Sequence, residues 1–277
     1  MNQTMITAAA TLGQLQKQMD IISNNIANID TNGYKGRDAT FADLLVQQFD
    51  NQPDQTKEVG RNTPYGIRIG AGAKIAQSQL DESQGAVKQT NRPLDVSFTK
   101  ENQYLKVLND QNGQNSICYT RDGNLSVSPV GKNELMLVNS SGLPILDENN
   151  KVITFQDNVK DYTITEQGQF KVNSVNGQTT SFNLGVVTAD KPQFLEQAGD
   201  NLLDVPSQFS ANPAGIIKEM TGPLRAQVSM QQGALESSNV DMGKEMTDLL
   251  NAQRSYQFQS RAITLSDQMA GLVNSLR

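Results

Sequence analysis

Met5-Ile6-Thr7-Ala8-Ala9-Ala10-Thr11-Leu12-Gly13-Gln14-Leu15-Gln16-Lys17-Gln18-Met19-Asp20-Ile21-Ile22-Ser23-Asn24-Asn25-Ile26-Ala27-Asn28-Ile29 carries the strongest periodic signal in the chain. Met5, Ala8, Leu12, Leu15, Met19, Ile22, Ile26 and Ile29 are spaced by alternating steps of three and four. That spacing is a heptad seam, with polar residues on the other positions. It predicts an amphipathic helix over 5–29. The stop falls at Asp30-Thr31-Asn32-Gly33, where Asn or Gly supplies a left-handed cap.

The far end of the chain has a second helical pattern. Ser238-Asn239-Val240-Asp241 reads as a cap followed by an acidic first turn. Met242, Met246, Leu249 and Leu250 begin one apolar face, and Tyr256 follows it. Phe258, Ala262, Leu265, Met269, Leu272 and Leu276 continue at three/four steps in another register, because Gln253 and Ser260 interrupt the first. The pattern predicts a helix over about 240–275 whose buried stripe shifts partway along.

Between the helices the period changes. From 91 to 189, short β-rich runs alternate with turn clusters. Tyr104–Leu108 precedes a turn at Asn109–Gly113, Leu125–Val127 follows Arg121-Asp122-Gly123, and Leu135–Val138 leads to Asn139–Gly142. Tyr162–Ile164 and Phe170–Val172 flank Gln167-Gly168, and Phe182–Val187 follows Asn176-Gly177. Strands at this spacing predict an antiparallel domain. Residues 34–90 are polar and glycine-containing, with a predicted short helix at Phe41–Val46. A connection of that length is functional or wraps on a partner. A second polar connection runs over 208–234. The expected fold class is therefore α+β, with N- and C-terminal helices forming a coiled-coil layer and a central antiparallel β-rich domain. The expected organisation is an N-terminal helix in 1–33, a linker or long loop in 34–75, a β-rich domain in 76–234 and a C-terminal helix in 235–277.

Composition narrows the function. The 277 residues include 23 Lys plus Arg against 29 Asp plus Glu, a net charge of −6. An acidic balance argues against duplex nucleic acid, which needs a basic face to displace counterions. The chain has no His, so imidazole proton relays and His-bound metals are excluded. A single cysteine, Cys118, excludes an internal disulfide. Flanked by Ile117 and Tyr119, it reads as buried filler. No run approaches the roughly 18 apolar residues of a membrane span. The N-terminus lacks a basic region and an apolar core, so no cleavable secretory signal is expected.

The local motifs read as structure. Asn28-x-Asp30-x-Asn32-Gly33 imitates a calcium loop, but Ala39 stands where the bidentate Glu belongs; the run reads as a helix stop. Gly70-Ala71-Gly72 lacks the third glycine of a dinucleotide loop and reads as a flexible or bulged strand. A hydrolase reading rests only on Asp81-Glu82 and Asp147-Glu148, whose default reading is solvated acids in polar turns. No motif supports a cofactor. The two terminal helices admit an internal hairpin or intermolecular assembly. Narrow stripes with uncharged Asn-, Gln- and Ser-rich flanks favour assembly, since an isolated helix of this kind is marginal in water.

Ser23-Asn24-Asn25-Ile26-Ala27-Asn28-Ile29-Asp30-Thr31-Asn32-Gly33-Tyr34-Lys35 resembles the N-terminal signature of the flagellar basal-body rod and hook family. Gly233–Asp241 with Glu245-Met246, Ala252–Tyr256 and Asp267–Met269 resemble its C-terminal signature. Gln84–Val96, Tyr119–Leu125 and Gly199–Leu203 are similar to landmarks of its β domain. Val96–Tyr104 departs from the family's glycine-rich run, having no glycine. The length of 34–75 looks most like the distal-rod proteins, with proximal-rod and hook subunits as the alternatives.

The resemblance implies a structural, non-enzymatic subunit. It would leave the cell unfolded and uncleaved through the flagellar type III export apparatus. Its partners would be itself and neighbouring rod or hook proteins, with no nucleic acid and no membrane insertion, and it would transmit torque from motor to hook. The expected assembly interface is Met5, Leu12, Leu15, Met19, Ile22, Ile26 and Ile29 with Met246, Leu249, Leu250, Tyr256, Phe258, Leu265, Met269, Leu272 and Leu276. Each buried aliphatic side chain is worth roughly 1.5–3 kcal/mol, so ordering both helices requires that most of these gain partners. The competing reading is a non-polymerising adaptor whose termini pair as a hairpin.

Overall fold

A computed structural model of the chain describes residues 3–43, 46–49, 67–70, 73–111, 114–199, 201–206 and 215–275. Helices stand at both ends and antiparallel strands lie between them, an α+β arrangement. The chain divides into two compact units. One gathers Met1–Ile26, Arg37–Gln79 and Asp241–Arg277; the other gathers Ala27–Gly36 and Leu80–Val240.

In the first unit, helix α1 spans Gln3–Ala27. It stops a few residues earlier than the seam predicts. The Asn28 side chain accepts from the Thr31 hydroxyl at 3.1 Å, and the Asn28 carbonyl accepts from the Thr31 amide at 3.2 Å. Asn thus draws the backbone into a turn instead of a further helical step. Gly33, at φ +68°, takes the left-handed position.

Strand β1 (Arg37–Asp43) follows, then β2 (Val46–Phe49), β3 (Ile67–Gly70) and β4 (Ala73–Leu80). β1 pairs with β4 and β2 with β3, so the predicted helix at Phe41–Val46 is overturned. Its Phe41–Asp43 part is strand, Val46 opens the next strand, and 44–45 lie outside the described residues. A six-residue helix cannot repay its nucleation cost, whereas two ladders satisfy the backbone at once. Of the Gly70-Ala71-Gly72 run, Gly70 ends β3, and 71–72 lie outside the described residues. The unit closes with helix α2 (Met242–Ser275).

The second unit begins its strands with β5 (Val87–Gln89) and β6 (Val96–Phe98), then the long pair β7 (Gln103–Gln111) and β8 (Gln114–Thr120). Next come β9 (Ser126–Pro129), β10 (Glu134–Val138), β11 (Thr154–Gln156), β12 (Val159–Ile164), β13 (Gln169–Ser174) and β14 (Thr179–Asn183). The set ends with β15 (Val186–Ala189), β16 (Glu196–Gly199), β17 (Leu202–Asp204), β18 (Ile217–Glu219), β19 (Met230–Gln232) and β20 (Ala234–Glu236). Six strands form one sheet in the order β16-β17-β8-β7-β15-β18. Two three-stranded sheets, β11-β10-β9 and β12-β13-β14, and the pairs β19-β6 and β20-β5 complete it.

The central strand β7 is buried on both faces, because a hydrophobic core packs on each side of it. Leu105 and Val107 join the main core with Phe98, Leu125, Ile145 and Phe170. Tyr104 joins a smaller core with Val187, Leu195 and Ile217. Phe155, Tyr162 and Phe170 pack with ring centroids 5.7–6.1 Å apart.

Two local expectations shift. The turn predicted at Asn109–Gly113 is overturned over Asn109–Gln111, which belong to β7 and pair with Gln114–Ser116; 112–113 lie outside the described residues. The run Phe182–Val187 splits into β14 and β15, because Leu184 is a core residue and Gly185 lies against the backbone of Leu146 and Asp147. The glycine-free stretch after β6 turns on Asn102 at φ +61°. Asn tolerates this conformation better than other residues with a side chain.

Candidate functional site

Helix α2 spans Met242–Ser275. Its cap is Asp241, whose Oδ1 accepts from the amides of Gly243 at 2.7 Å and Lys244 at 3.2 Å. The cap predicted from Ser238 onward thus falls at the last residue of that run. Asn239 is committed elsewhere: its Oδ1 accepts from the Gly36 amide, and its Nδ2 donates to the carbonyls of Asp81 and Ser83.

Asn25 links the start of α2 to the end of α1. Asn25 is buried; its Nδ2 donates to Glu245 Oε1 at 3.2 Å and to the Arg37 carbonyl at 2.9 Å. Its Oδ1 accepts from the Arg37 amide at 3.0 Å. The amide of one Asn thus ties α1, β1 and α2 together. Burial raises the Glu245 carboxyl above its ordinary value, opposed by the hydrogen bond from Asn25.

The seam residues divide sharply. On α1, Ile22 is buried, and Met5, Leu12, Leu15, Met19 and Ile26 are half-buried; Ile29, in the turn beyond, is half-buried too. On α2 the buried positions are Glu245, Ala252 and Ser266, with Leu249 and Ile263 half-buried. Met246, Leu250, Tyr256, Phe258, Leu265, Met269 and Leu272 are exposed, Phe258 to 69%. Leu276 lies outside the described residues. The stripe that α2 buries within its own chain therefore takes only the half-buried Leu249 from the two apolar faces that its sequence displays. The small residues Ala252 and Ser266 are buried on it together with Glu245.

In the second unit the signature runs converge on a buried charge cluster that sequence reasoning missed. Glu236 Oε1 accepts from Lys35 Nζ at 2.7 Å and from the Gly85 amide at 3.1 Å; its Oε2 accepts from Arg121 Nε at 2.7 Å. All three side chains are at most 4% exposed. Arg121 also donates to the carbonyls of Gln103 and Lys100, both at 2.8 Å, and lies 5.1 Å over the Phe98 ring. Lys35 donates to the Ser83 carbonyl, and the Gly33 amide to the Glu236 carbonyl. Burial pulls the Lys35 ammonium below its ordinary value, while Glu236 opposes the shift. Each residue alone reads as solvated. The available signal was that Lys35, Arg121 and Glu236 each sit inside a separate signature-like run.

The acid pairs hold turns. Asp81 Oδ1 accepts from the Ser83 amide, and Asp147 Oδ1 from those of Asn149 and Lys151. Glu148 is not simply solvated but reaches Arg225 at 3.5 Å. Nor is Glu82: its Oε1 is buried without a hydrogen-bond partner among the described residues. Burial raises its carboxyl above the ordinary 4.5, opposed by Lys35 and Arg121 and assisted by Glu101. Cys118 is buried as predicted, its thiol pushed up by burial and 3.6 Å from Asn109 Nδ2.

Glu82 yields a pH prediction. Between 4.5 and its raised folded value, the folded state binds more protons than the unfolded chain. This group's contribution therefore makes stability fall as pH rises through that window, and the cost is fully present above it. Glu82→Gln removes the cost. The variant should melt above the parent at pH 8, with the difference closing by about pH 4. Thermal melts across that range check it, and a difference that grows toward pH 4 contradicts it.

Comparison with known proteins bears on these features. Residues 5–35 match the family described as flagella basal body rod protein, and residues 231–276 match the flagellar basal body rod FlgEFG protein C-terminal family. Residues 101–172 match the flagellar hook protein FlgE/F/G D1 domain. The chain is 44% identical to the flagellar hook-basal body complex protein FlhP of Bacillus subtilis, over 100% of both chains. It is 32% identical to the flagellar basal-body rod protein FlgG of Caulobacter vibrioides over 99% of both, and 28% identical to the FlgG of Bacillus subtilis over 100% of both. Among the described residues, no helix is long and apolar enough to cross a membrane.

Proposed function

The chain belongs to the flagellar basal-body rod and hook family, as a structural subunit and not an enzyme, and we propose that it polymerises through its terminal helices into a torque-bearing tube of the rod. The observation that carries this is the row of large apolar side chains on α2, from Met246 to Leu272, that its own chain leaves exposed. Monomers rarely display a contiguous apolar surface above a few hundred Å² unless it is an interface. In the polymer these residues and the half-buried α1 seam bury against neighbouring subunits, forming the coiled-coil layer that both heptads anticipate. A tube needs a contact that joins different surfaces and does not close into a ring.

Export through the flagellar type III apparatus, before folding, fits the family resemblance and brings the subunit to the basal body. The distal rod is the favoured position by the length of 34–75, with proximal rod or hook as the alternative. Replacing Leu265 and Met269 by Asp places two charges on the uncovered face. Cells carrying the double variant should be non-motile with normal levels of the protein, and their isolated basal bodies should lack the rod segment it builds. Motile cells with complete rods reject polymerisation through α2. The Asn25–Glu245 bond favours a second reading, an adaptor whose termini stay paired. Hydrogen exchange on dilute subunit separates the two: strong protection from Leu12 to Ile26 supports the adaptor.

A further inference from the structure

Lys106 belongs to β7, and its side chain is 1% exposed. Its backbone amide donates to the Gly185 carbonyl, and its carbonyl accepts from the Leu146 amide. Its stem runs past Gly185, where an added Cβ would stand 3.1 Å from Lys106 Cδ. The missing side chain there leaves a lane past the start of β15 toward β18. At the end of that lane Nζ donates to Glu219 Oε1 at 2.5 Å and to Asn150 Oδ1 at 2.9 Å.

A buried ammonium calls for a counter-charge, and Glu219 supplies it. Asn150 adds an acyl carbon at the same nitrogen, held by its turn. Its φ is +61°, its amide donates to the Asp147 carbonyl at 3.2 Å, and Asp147 Oδ1 accepts from the amides of Asn149 and Lys151 at 2.8 Å. Asn150 Cγ lies one bond of about 1.2 Å beyond Oδ1, so it is within about 4.1 Å of Nζ. The terminal torsion of Asn is broad, and rotation about it turns the carbonyl carbon toward Nζ. An amine held against an acyl carbon is a nucleophile once it loses its proton, and Glu219 is in place to take that proton.

We infer that the side chains of Lys106 and Asn150 join in a covalent amide, with Glu219 carrying the protons. Lys106 Nζ gives a proton to Glu219 Oε1. Its electron pair then attacks Asn150 Cγ, forming the Nζ–Cγ bond and moving the carbonyl electrons onto Oδ1. Glu219 passes the proton to Nδ2, the carbonyl re-forms, the Cγ–Nδ2 bond breaks and ammonia leaves. Nζ sheds a second proton through the same carboxylate, and this proton departs with the ammonia as ammonium. Nothing is oxidised or reduced, and the lysine charge leaves the chain. Glu219 is 51% exposed, so protons and ammonia have a way out to solvent. The bond closes a loop across 44 positions, and reductants do not open it. It forms only in the folded unit, because Lys106 and Glu219 lie 113 positions apart, and it needs no second copy of the chain.

The test is intact-mass spectrometry of the full 30.2 kDa chain, incubated folded at neutral pH beside the same chain kept in urea from lysis onward. The folded chain should lose about 17 Da, the mass of one ammonia, and its digest should contain a branched peptide joining Lys106 to Asn150. The chain kept in urea should retain its full sequence mass. Asn150→Gly removes the acyl group while tolerating the left-handed backbone, so it should retain full mass too. Glu219→Gln removes the proton carrier and should slow the loss by about 10²–10⁴-fold. Both positions are exposed, and circular dichroism checks that both variants fold. A folded parent at full sequence mass overturns the bond. So does a loss of the same size that persists in Asn150→Gly, which reports ammonia lost at another amide, such as Asn176 before Gly177. Loss at the parent's rate in Glu219→Gln overturns Glu219 as the proton carrier.

Discussion

Glu236→Ala should lower stability by about 3–5 kcal/mol, the range for removing one partner of a buried ion network. The variant leaves Lys35 and Arg121 inside the protein with no counter-charge, at 4% and 1% exposure. It also strands the Gly85 amide, which donates to the same carboxylate. For a chain of this size each kcal/mol moves the melting temperature by roughly 2–4 °C, so a drop of about 6–20 °C is expected. Lys244→Ala is the control. Its ion pair with Asp38 is more than half exposed on both sides, and such pairs contribute about 0–1 kcal/mol. Thermal and urea melts of both variants decide the matter. A loss below about 1 kcal/mol for Glu236→Ala would show that the network does not anchor the unit.

Gly123→Ala should cost about 2–3 kcal/mol, as overpacking against an unyielding neighbour does. A Cβ at this position would overlap the carbonyl oxygen of Val96 and stand 2.7 Å from its carbonyl carbon. The obstacle is backbone, and it cannot swing aside. Val96 N donates to the Gly123 carbonyl at 3.0 Å, and Val96 and Phe98 on the same strand are 1% exposed. Relief therefore requires β6 to withdraw from the core. Gly131→Ala provides the contrast, since nothing lies within 4 Å of its added Cβ and its φ is not in the left-handed region. That change should be neutral or stabilise by about 0.4–1 kcal/mol through the unfolded chain. Equal melting temperatures for the two variants would contradict the close approach at Gly123.

Much of the fold was legible because the signals are local. The α1 heptad, the strand-turn alternation after Asn91 and the placing of Cys118 each follow from residues within a few positions of one another. The β-pairing of Arg37–Asp43 was not legible, because its partner β4 begins some thirty residues later and the local residues admit either state. The cap at Asp241 was not singled out because Ser238, Asn239 and Asp241 all qualify by residue type, and the contacts of Asn239 remove it from the choice.

Sequence alone determined that both ends are helical, that α2 carries two apolar registers, and that the signature-like runs belong to a rod and hook protein. Tertiary structure decided which face of α2 its own chain covers, and that Lys35, Arg121 and Glu236 meet. Periodicity records where apolar side chains lie around a helix, but not which of them find a partner. A buried charge, likewise, is recognisable only when the opposite charge arrives from a distant segment; Lys35 and Glu236 are 201 positions apart. Those facts depend on contacts across the whole chain, and no window of local sequence contains them.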